Sequence, residues 1–506
     1  MSGLKKANCV HDEMSIDAEW WLPDDTSNKF RGTLTGSVAN GFTLNIEGAF
    51  FEDYEVPPLW RAFLENNEDT KEDNSEIDII LGESRKGEKY TLVNNLRLKV
   101  SRKLSFESDP QNQIIDSVYN VFFLLVGEHF NSYEEIKFES MSFGISNFEV
   151  WHLIKAFDVD YPEKDNKSFS VTYKNPEPVI IYNDQYIKAT IEYIYSHGES
   201  SPSETSYHIN RRAKIILNAV NPPFRLHDFE EKVDVSFSSY IKKIVSFIEF
   251  ATQKHIYAFD INVYSSENIP CAVYYKTAVS HELSKPVDFY DLLFNWKYIE
   301  QDPQKYFQAW IENIDKIGMP VWLYLGSFRG GLYEDQRFME LAQALEGFHR
   351  YRFPDTSEPT EEHQSMVKSI IDGCPKDSQE WLESKLMHSH EPTLRKRLKE
   401  LCKEQNDLVS WMTTSTKTKN RVIGLIVELR NHQAHCKSID ESPVSSILRF
   451  HINRYMQFVL AALLLKETNF SDEQISSIIK GNWKGKQVPR ALNKVLTLNK
   501  TKETDT

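Results

Sequence analysis

Two different spacings of apolar residues divide this chain. Through roughly its first two hundred residues they recur in short, β-branched and aromatic runs, the texture of strands. Residues 29–36 and 42–50 alternate in and out and flank Ala39-Asn40-Gly41. An Asn-Gly pair between two alternating runs predicts a β-hairpin closed by a type I′ turn. Further strands are predicted at 77–81, 90–93, 169–173, 179–182 and 186–195. The acidic run 65–76 and the polar run 196–206 read as loops, either as long hairpin tips or as linkers.

The middle of the chain is mixed. Val235, Ile241, Ile244, Val245, Phe247 and Ile248 predict an amphipathic helix over 228–252, with strands at 257–264 and 272–275. After the glycine-rich stretch 326–331 the spacing becomes helical and stays so. Helices are predicted at 334–351, 361–372, 377–387, 392–411, 419–430 and 442–467. Within 419–430, Val422, Leu425, Ile426 and Leu429 form a stripe at i, i+3, i+4 and i+7. The expected architecture is multidomain: a β-rich, α+β N-terminal region followed by an all-α bundle. The expected parts are 1–200 (β-rich), 201–326 (mixed), 332–495 (helical bundle) and 496–506 (a tail).

Composition narrows the function classes. The chain has 506 residues, 40% hydrophobic and 26% charged, which suits a globular protein of several domains. Its cysteines, Cys9, Cys271, Cys374, Cys402 and Cys436, are scattered and odd in number, which argues for a reducing compartment and against a disulfide framework. No apolar leader and no membrane-length apolar run is evident, so a cytoplasmic, membrane-free protein is expected. A net charge of −15 opposes wholesale coating of nucleic acid and leaves room for a local basic groove. Such a groove is suggested by Arg395, Lys396, Arg397 and Lys399, by Lys437, and by Lys484 and Lys486 within an acid-free stretch from Gln474 to Lys502. Solvated helix faces and a frayed tail explain the same charges equally well. Trp483 in that stretch is either a base-stacking ring or a core anchor.

The chemistry-bearing candidates lie together in Arg430-Asn431-His432-Gln433-Ala434-His435. Histidine titrates near neutral pH and suits proton transfer. Arginine is a permanent planar cation suited to phosphate oxygens. Asn431 can donate to phosphate or orient an imidazole, and His432 is a neighbour or rival of His435. The plain alternative is a helix-terminal arginine complementing the macrodipole and a surface histidine. His432, His435 and Cys436 lack a fourth ligand for zinc, so no metal and no cofactor is expected. Five residues along a continuous helix turn through about 140°. Either the helix breaks near His432, or the site is completed by a second copy.

Placed after an apolar helix, this motif resembles the Arg-polar-x3-His motif of HEPN domains. The order of parts, the hairpin FRGTLTGSVANGFTLNIEG and the helix FMELAQALEGFHRYRF resemble ApeA-type HEPN proteins, bacterial anti-phage abortive-infection factors. The resemblance implies a toxic, metal-independent endoribonuclease whose HEPN domains dimerise. It implies catalysis by Arg430, His435 and Asn431, with 2′,3′-cyclic phosphate products. RNA, either tRNA or mRNA, would be the substrate, and a phage-encoded trigger would act through the N-terminal region. The rival readings are a non-catalytic HEPN module that binds RNA or a partner, and a scaffold with a ligand-binding β-rich domain.

Overall fold

The computed structural model describes residues 12–51, 76–103, 114–153, 156–160, 170–197, 209–227, 235–277, 287–354, 359–436, 442 and 444–503. The acidic run 65–75, most of the polar run 196–206 and Lys437 lie outside them. The chain forms two compact units. One comprises Met1–Phe148, Lys155–Lys242 and Tyr257–Ser284, and the other Glu149–Ile154, Lys243–Ile256 and Lys285–Thr506.

The first unit is built on one twelve-stranded sheet. Its first six strands are β1 (Met14–Leu22), β2 (Asp25–Ser37), β3 (Gly41–Glu47), β4 (Glu76–Ser84), β5 (Lys89–Lys103) and β6 (Ile114–Val126). They pair in the order β6-β3-β2-β1-β4-β5, and β5 pairs back onto β6, which closes a six-stranded barrel. Closure removes the exposed edges that would template aggregation. Along β1 burial alternates: Met14, Ile16, Ala18 and Trp20 point in, while Ser15, Asp17 and Glu19 point out. Those side chains meet Leu34, Phe42, Leu44, Tyr90, Leu92 and Tyr119 in the barrel core. Gly82 on β4 is required there, because a Cβ at that position would run into the Trp20 ring.

The predicted hairpin is β2–β3, but its turn differs from the type expected. Ser37 pairs with Gly41, so three residues make the loop, and Gly41 alone takes a left-handed φ of 88°. A type I′ turn needs positive φ at two central residues.

The sheet continues beyond the barrel through β16 (Pro270–Tyr275), β15 (Ala258–Tyr264), β8 (Ser140–Ile145), β13 (Ile209–Ala219), β12 (Ile187–His197) and β11 (Val179–Asn183). Two short pairs accompany it, β9 (Phe157–Asp160) with β10 (Ser170–Tyr173) and β7 (Lys137–Phe138) with β14 (Phe224–Arg225). β12 and β13 lie on either side of residue 200, where the sequence suggests a boundary, and they pair directly.

The second unit is helical. It contains α1 (Phe148–His152) from its second residue, and α2 (Phe237–Thr252) from Lys243 onward. The remaining helices are α3 (Pro303–Ile317), α4 (Met319–Gly326), α5 (Glu334–Arg352), α6 (Glu361–Asp372), α7 (Lys376–Leu386), α8 (Leu394–Glu404), α9 (Asn406–Thr413), α10 (Thr416–Ala434), α11 (Ser446–Glu467), α12 (Asp472–Gly481) and α13 (Trp483–Glu503). An aromatic cluster anchors its first helices: Phe250 stacks on Trp310 at 4.9 Å, and the Trp310 indole N–H donates to Ser246 at 2.9 Å. α5, α8, α10 and α11 then form a bundle whose core includes Leu341, Leu345, Leu401, Leu425, Leu429, Ile452 and Val459.

Sequence periodicity foresaw one helix over 392–411. The structure makes two, interrupted at Gln405, whose backbone leaves helical geometry at φ −116°, ψ 38°. α10 begins earlier than expected because the Ser415 hydroxyl accepts from Thr418 N–H and caps it. It also ends later. α1, α3 and α4 lie outside the expected helices, and α12 and most of α13 fall within the expected bundle, 332–495, without having been placed there individually. Among the described residues, no helix is long and apolar enough to cross a membrane.

Candidate active site

α10 carries the motif, and its two faces treat Arg430 and His435 differently. Val422, Ile423, Leu425, Ile426 and Leu429 are buried. Arg430 follows Ile423 and Ile426 at seven- and four-residue spacing, so it continues the inward-facing side. Its side chain is 41% exposed, and a guanidinium nitrogen lies 3.7 Å from a Glu346 carboxylate oxygen on α5. His435 instead follows Glu428 and Asn431 at seven and four residues. Glu428, Asn431 and His435 are all exposed. His432 is half-buried.

The helix does not break near His432. It runs to Ala434, the His435 N–H still donates to the Asn431 carbonyl at 3.2 Å, and the chain turns away only at Cys436, with φ 48°. The first of the two geometric alternatives is therefore removed. At about 100° per residue, Arg430 and His435 lie some 140° apart on one helix. A single chain holds them on different faces.

The end of α10 is fixed by a carboxylate at the start of α5. Gln433 donates to Asp335 at 2.6 Å, and Arg449 on α11 reaches the same carboxylate at 2.6 Å. Asp335 thus ties the last turn of α10 to the first turn of α11. Neighbouring Glu334 accepts from Asn453 at 2.7 Å.

The basic candidates separate by burial. Arg395, Lys396 and Lys399 are exposed on α8, and the Arg395 guanidinium lies over Gly424 of α10, where a Cβ would sit 3.5 Å from it. Lys486 is exposed at the start of α13. Arg397 requires a correction. It is 2% exposed and spends its donors on the Pro392 carbonyl at 2.9 Å, on His349 Nδ1 at 3.1 Å and on Glu391 at 2.9 Å. A buried cation with these partners is a strut and does not reach a phosphate. His349, also buried, completes the strut through Nε2 with Glu400 at 2.7 Å. Lys484 is half-buried and paired with Asp291 at 2.9 Å, and burial lowers its pKa. Among the described residues no group of three His, Cys, Asp or Glu side chains is arranged to hold a metal ion.

Glu346 and Asp335 escaped sequence reasoning. They lie about ninety residues upstream of the motif, and only the packing of α5 brings them to it.

Comparison with known proteins agrees with this architecture. A family profile described as ApeA N-terminal domain 1 matches residues 15–310, and one described as Apea-like HEPN matches residues 339–474, which include α10 and both motif residues. No curated protein and no solved structure matches. With more than half of the chain covered by the first profile and the bundle by the second, this protein belongs to the ApeA family and carries a C-terminal HEPN domain.

Proposed function

We propose that this chain is a cytoplasmic anti-phage endoribonuclease that cuts RNA without a metal, at a site completed by two copies of its HEPN domain, and so causes abortive infection. The observation that carries this reading is the geometry of α10: His435 is exposed at the helix end while Arg430, in the same HEPN-matched segment, lies on another face. Facing α10 helices from two chains can set one copy's histidine beside the other's arginine. A two-fold pair is the commonest oligomer.

In the proposed reaction His435 takes the proton from a ribose 2′-hydroxyl. The 2′-oxygen attacks phosphorus, the bond to the 5′-oxygen breaks, and that oxygen leaves with a proton from an acid in the same site. Arg430 stabilises charge on the non-bridging oxygens, and Asn431 orients the imidazole or the phosphate. The products are a 2′,3′-cyclic phosphate and a 5′-hydroxyl, and DNA, which lacks the 2′-hydroxyl, is not cut. Candidate substrates are tRNA and mRNA. The β-rich unit would sense a phage-encoded trigger and hold the nuclease latent.

One observation favours a second reading. Arg430 already has a carboxylate near it in Glu346, as expected of a non-catalytic HEPN module that binds RNA or a partner. Expression of wild type and His435→Ala in a bacterial host, with phage challenge and end-group analysis of total RNA, separates the two. The nuclease reading requires protection and cyclic-phosphate ends with wild type alone. Equal behaviour of the two proteins would sink it and favour the binding module.

A further inference from the structure

Among the described residues, carboxylates accompany the buried and half-buried arginines of the helical unit, with one exception. Arg337, Arg397, Arg430 and Arg449, all buried or half-buried, each have an acidic oxygen within 3.8 Å. Arg454 on α11 is half-buried too, yet among the described residues it has no carboxylate partner. Its one hydrogen bond is neutral, to the Gln487 side chain at 3.1 Å. The two carboxylates whose charge it feels are occupied elsewhere, Asp291 by Lys484 and Trp483, and Glu334 by Asn453. A partly desolvated cation with no carboxylate in direct contact is costly to keep. An anion arriving from outside would relieve that cost.

Arg454 is also framed by rings. Its guanidinium carbon lies 4.5 Å from the Phe450 centroid and 6.0 Å from that of Trp483. Trp483 is 42% exposed, and its indole N–H is held by Asp291 at 3.1 Å, which fixes the ring while leaving part of it open. Beside Asp291, Tyr290 is 74% exposed. Trp483 opens α13, in the acid-free stretch from Gln474 to Lys502, where Lys486 and Arg490 are exposed.

We propose that Arg454 and Trp483, with Phe450 seating the guanidinium, form a stacking platform for single-stranded RNA, with a base face on the open part of the Trp483 ring and a backbone phosphate on Arg454. The proposal rests on the ribonuclease reading for its choice of polymer and adds a location and a strandedness to it. A partly exposed ring beside a cation that lacks a carboxylate partner is a surface on which single strands bind. Paired bases in a duplex hide their faces and cannot use it. Arg454 lies about 7 Å along the α11 axis from Arg449 and about 140° around it, so it presents a face of α11 different from the one Asp335 ties to the end of α10.

The test uses the full chain carrying His435→Ala, which binds without cutting, and fluorescence anisotropy with a labelled single-stranded RNA of about 12 nucleotides and a duplex of similar length. Adding Trp483→Ala or Arg454→Gln is expected to weaken single-strand binding about tenfold each, as one lost stacking or phosphate contact does. Trp483→Phe keeps a ring and loses the bond to Asp291, so it is expected to bind within about twofold of its parent. Thermal melting checks that each variant is folded. The platform is overturned if the folded variants bind as the parent does, if Trp483→Phe loses as much as Trp483→Ala, or if the duplex binds as tightly as the single strand. No RNA binding by the parent overturns it as well. Cyclic-phosphate ends produced by the unaltered protein are scored separately, so the ribonuclease reading can survive the loss of the platform.

Discussion

Two clusters in the helical unit use the same residue types to opposite ends. At the junction of α5 and α8, His349, Arg397, Glu391 and Glu400 bond to one another, and the histidine and arginine are buried. At the end of α10, Arg430, Asn431 and His435 are partly or fully exposed, and the described residues supply little beyond Glu346. A satisfied, dry cluster holds helices together. Exposed histidine, amide and guanidinium groups keep hydrogen-bonding capacity that the fold does not use, as the proposed nuclease requires. Charge type alone does not separate the two roles; burial and partners do.

The sharpest way to break this contrast is to exchange the expected consequences. His435→Ala is expected to lower RNA cleavage by about 10²–10⁴-fold, the usual contribution of a general acid or base. Because the side chain is exposed, the melting temperature should stay unchanged. If calorimetry shows instead that His435→Ala unfolds the protein, the α10 end is structural and the contrast fails. Arg397→Met is expected to do the reverse. Removing one partner of a buried charge cluster costs about 3 kcal/mol, which denaturant titration would read as a lower midpoint. Unchanged stability would show that the buried cluster is dispensable.

A smaller effect lies between the clusters. Glu346→Gln removes the carboxylate beside Arg430 while keeping shape and hydrogen-bonding capacity. The pair is separated by 3.7 Å and is partly exposed, so its loss should change stability by under about 1 kcal/mol. A larger loss would move Arg430 from the open cluster to the structural one.

Much of this was legible in local sequence, and the rest was not for identifiable reasons. The hairpin at Asn40-Gly41 and the stripe from Val422 to Leu429 depend on turn chemistry and on spacing within one element. Barrel closure depends on β5 pairing along β6, with Lys103 opposite Ile114 at the near end and Tyr90 opposite Val126 at the far end. No local pattern announces that closure. α3 and α12 did carry signals in full: Asp302 before Pro303 with Tyr306, Phe307, Trp310, Ile311, Ile314 and Ile317 at helical spacing, and the Ser471/Gln474 capping box ahead of Ile475, Ile478 and Ile479. At the α10 end, residue types and order were readable, and orientation was not: the turn of the chain at Cys436 and the approach of Glu346 are tertiary facts. Arg397 shows the limit most plainly. In sequence it is one of four cations in a row of five, and only packing shows that its charge is spent inside.

The smallest expected effect concerns proton uptake by the buried cluster. Burial, with Arg397 and Arg350 adding repulsion, lowers the His349 pKa below its ordinary 6.5, and Glu400 pulls the other way without reversing the shift. The hydrogen bonds agree: Arg397 donates to Nδ1, so that nitrogen carries no proton, and Nε2–H donates to Glu400. The folded protein therefore binds its proton at lower pH than the unfolded chain does. By linkage, stability is fully present above about pH 6.5 and falls as pH drops from there toward the lowered folded value. His349→Gln should flatten that part of a stability-against-pH curve. Arg397→Met should shrink it, because Nδ1 is then free to accept a proton. A curve left unchanged by both His349→Gln and Arg397→Met would show that the buried cluster does not carry this pH dependence.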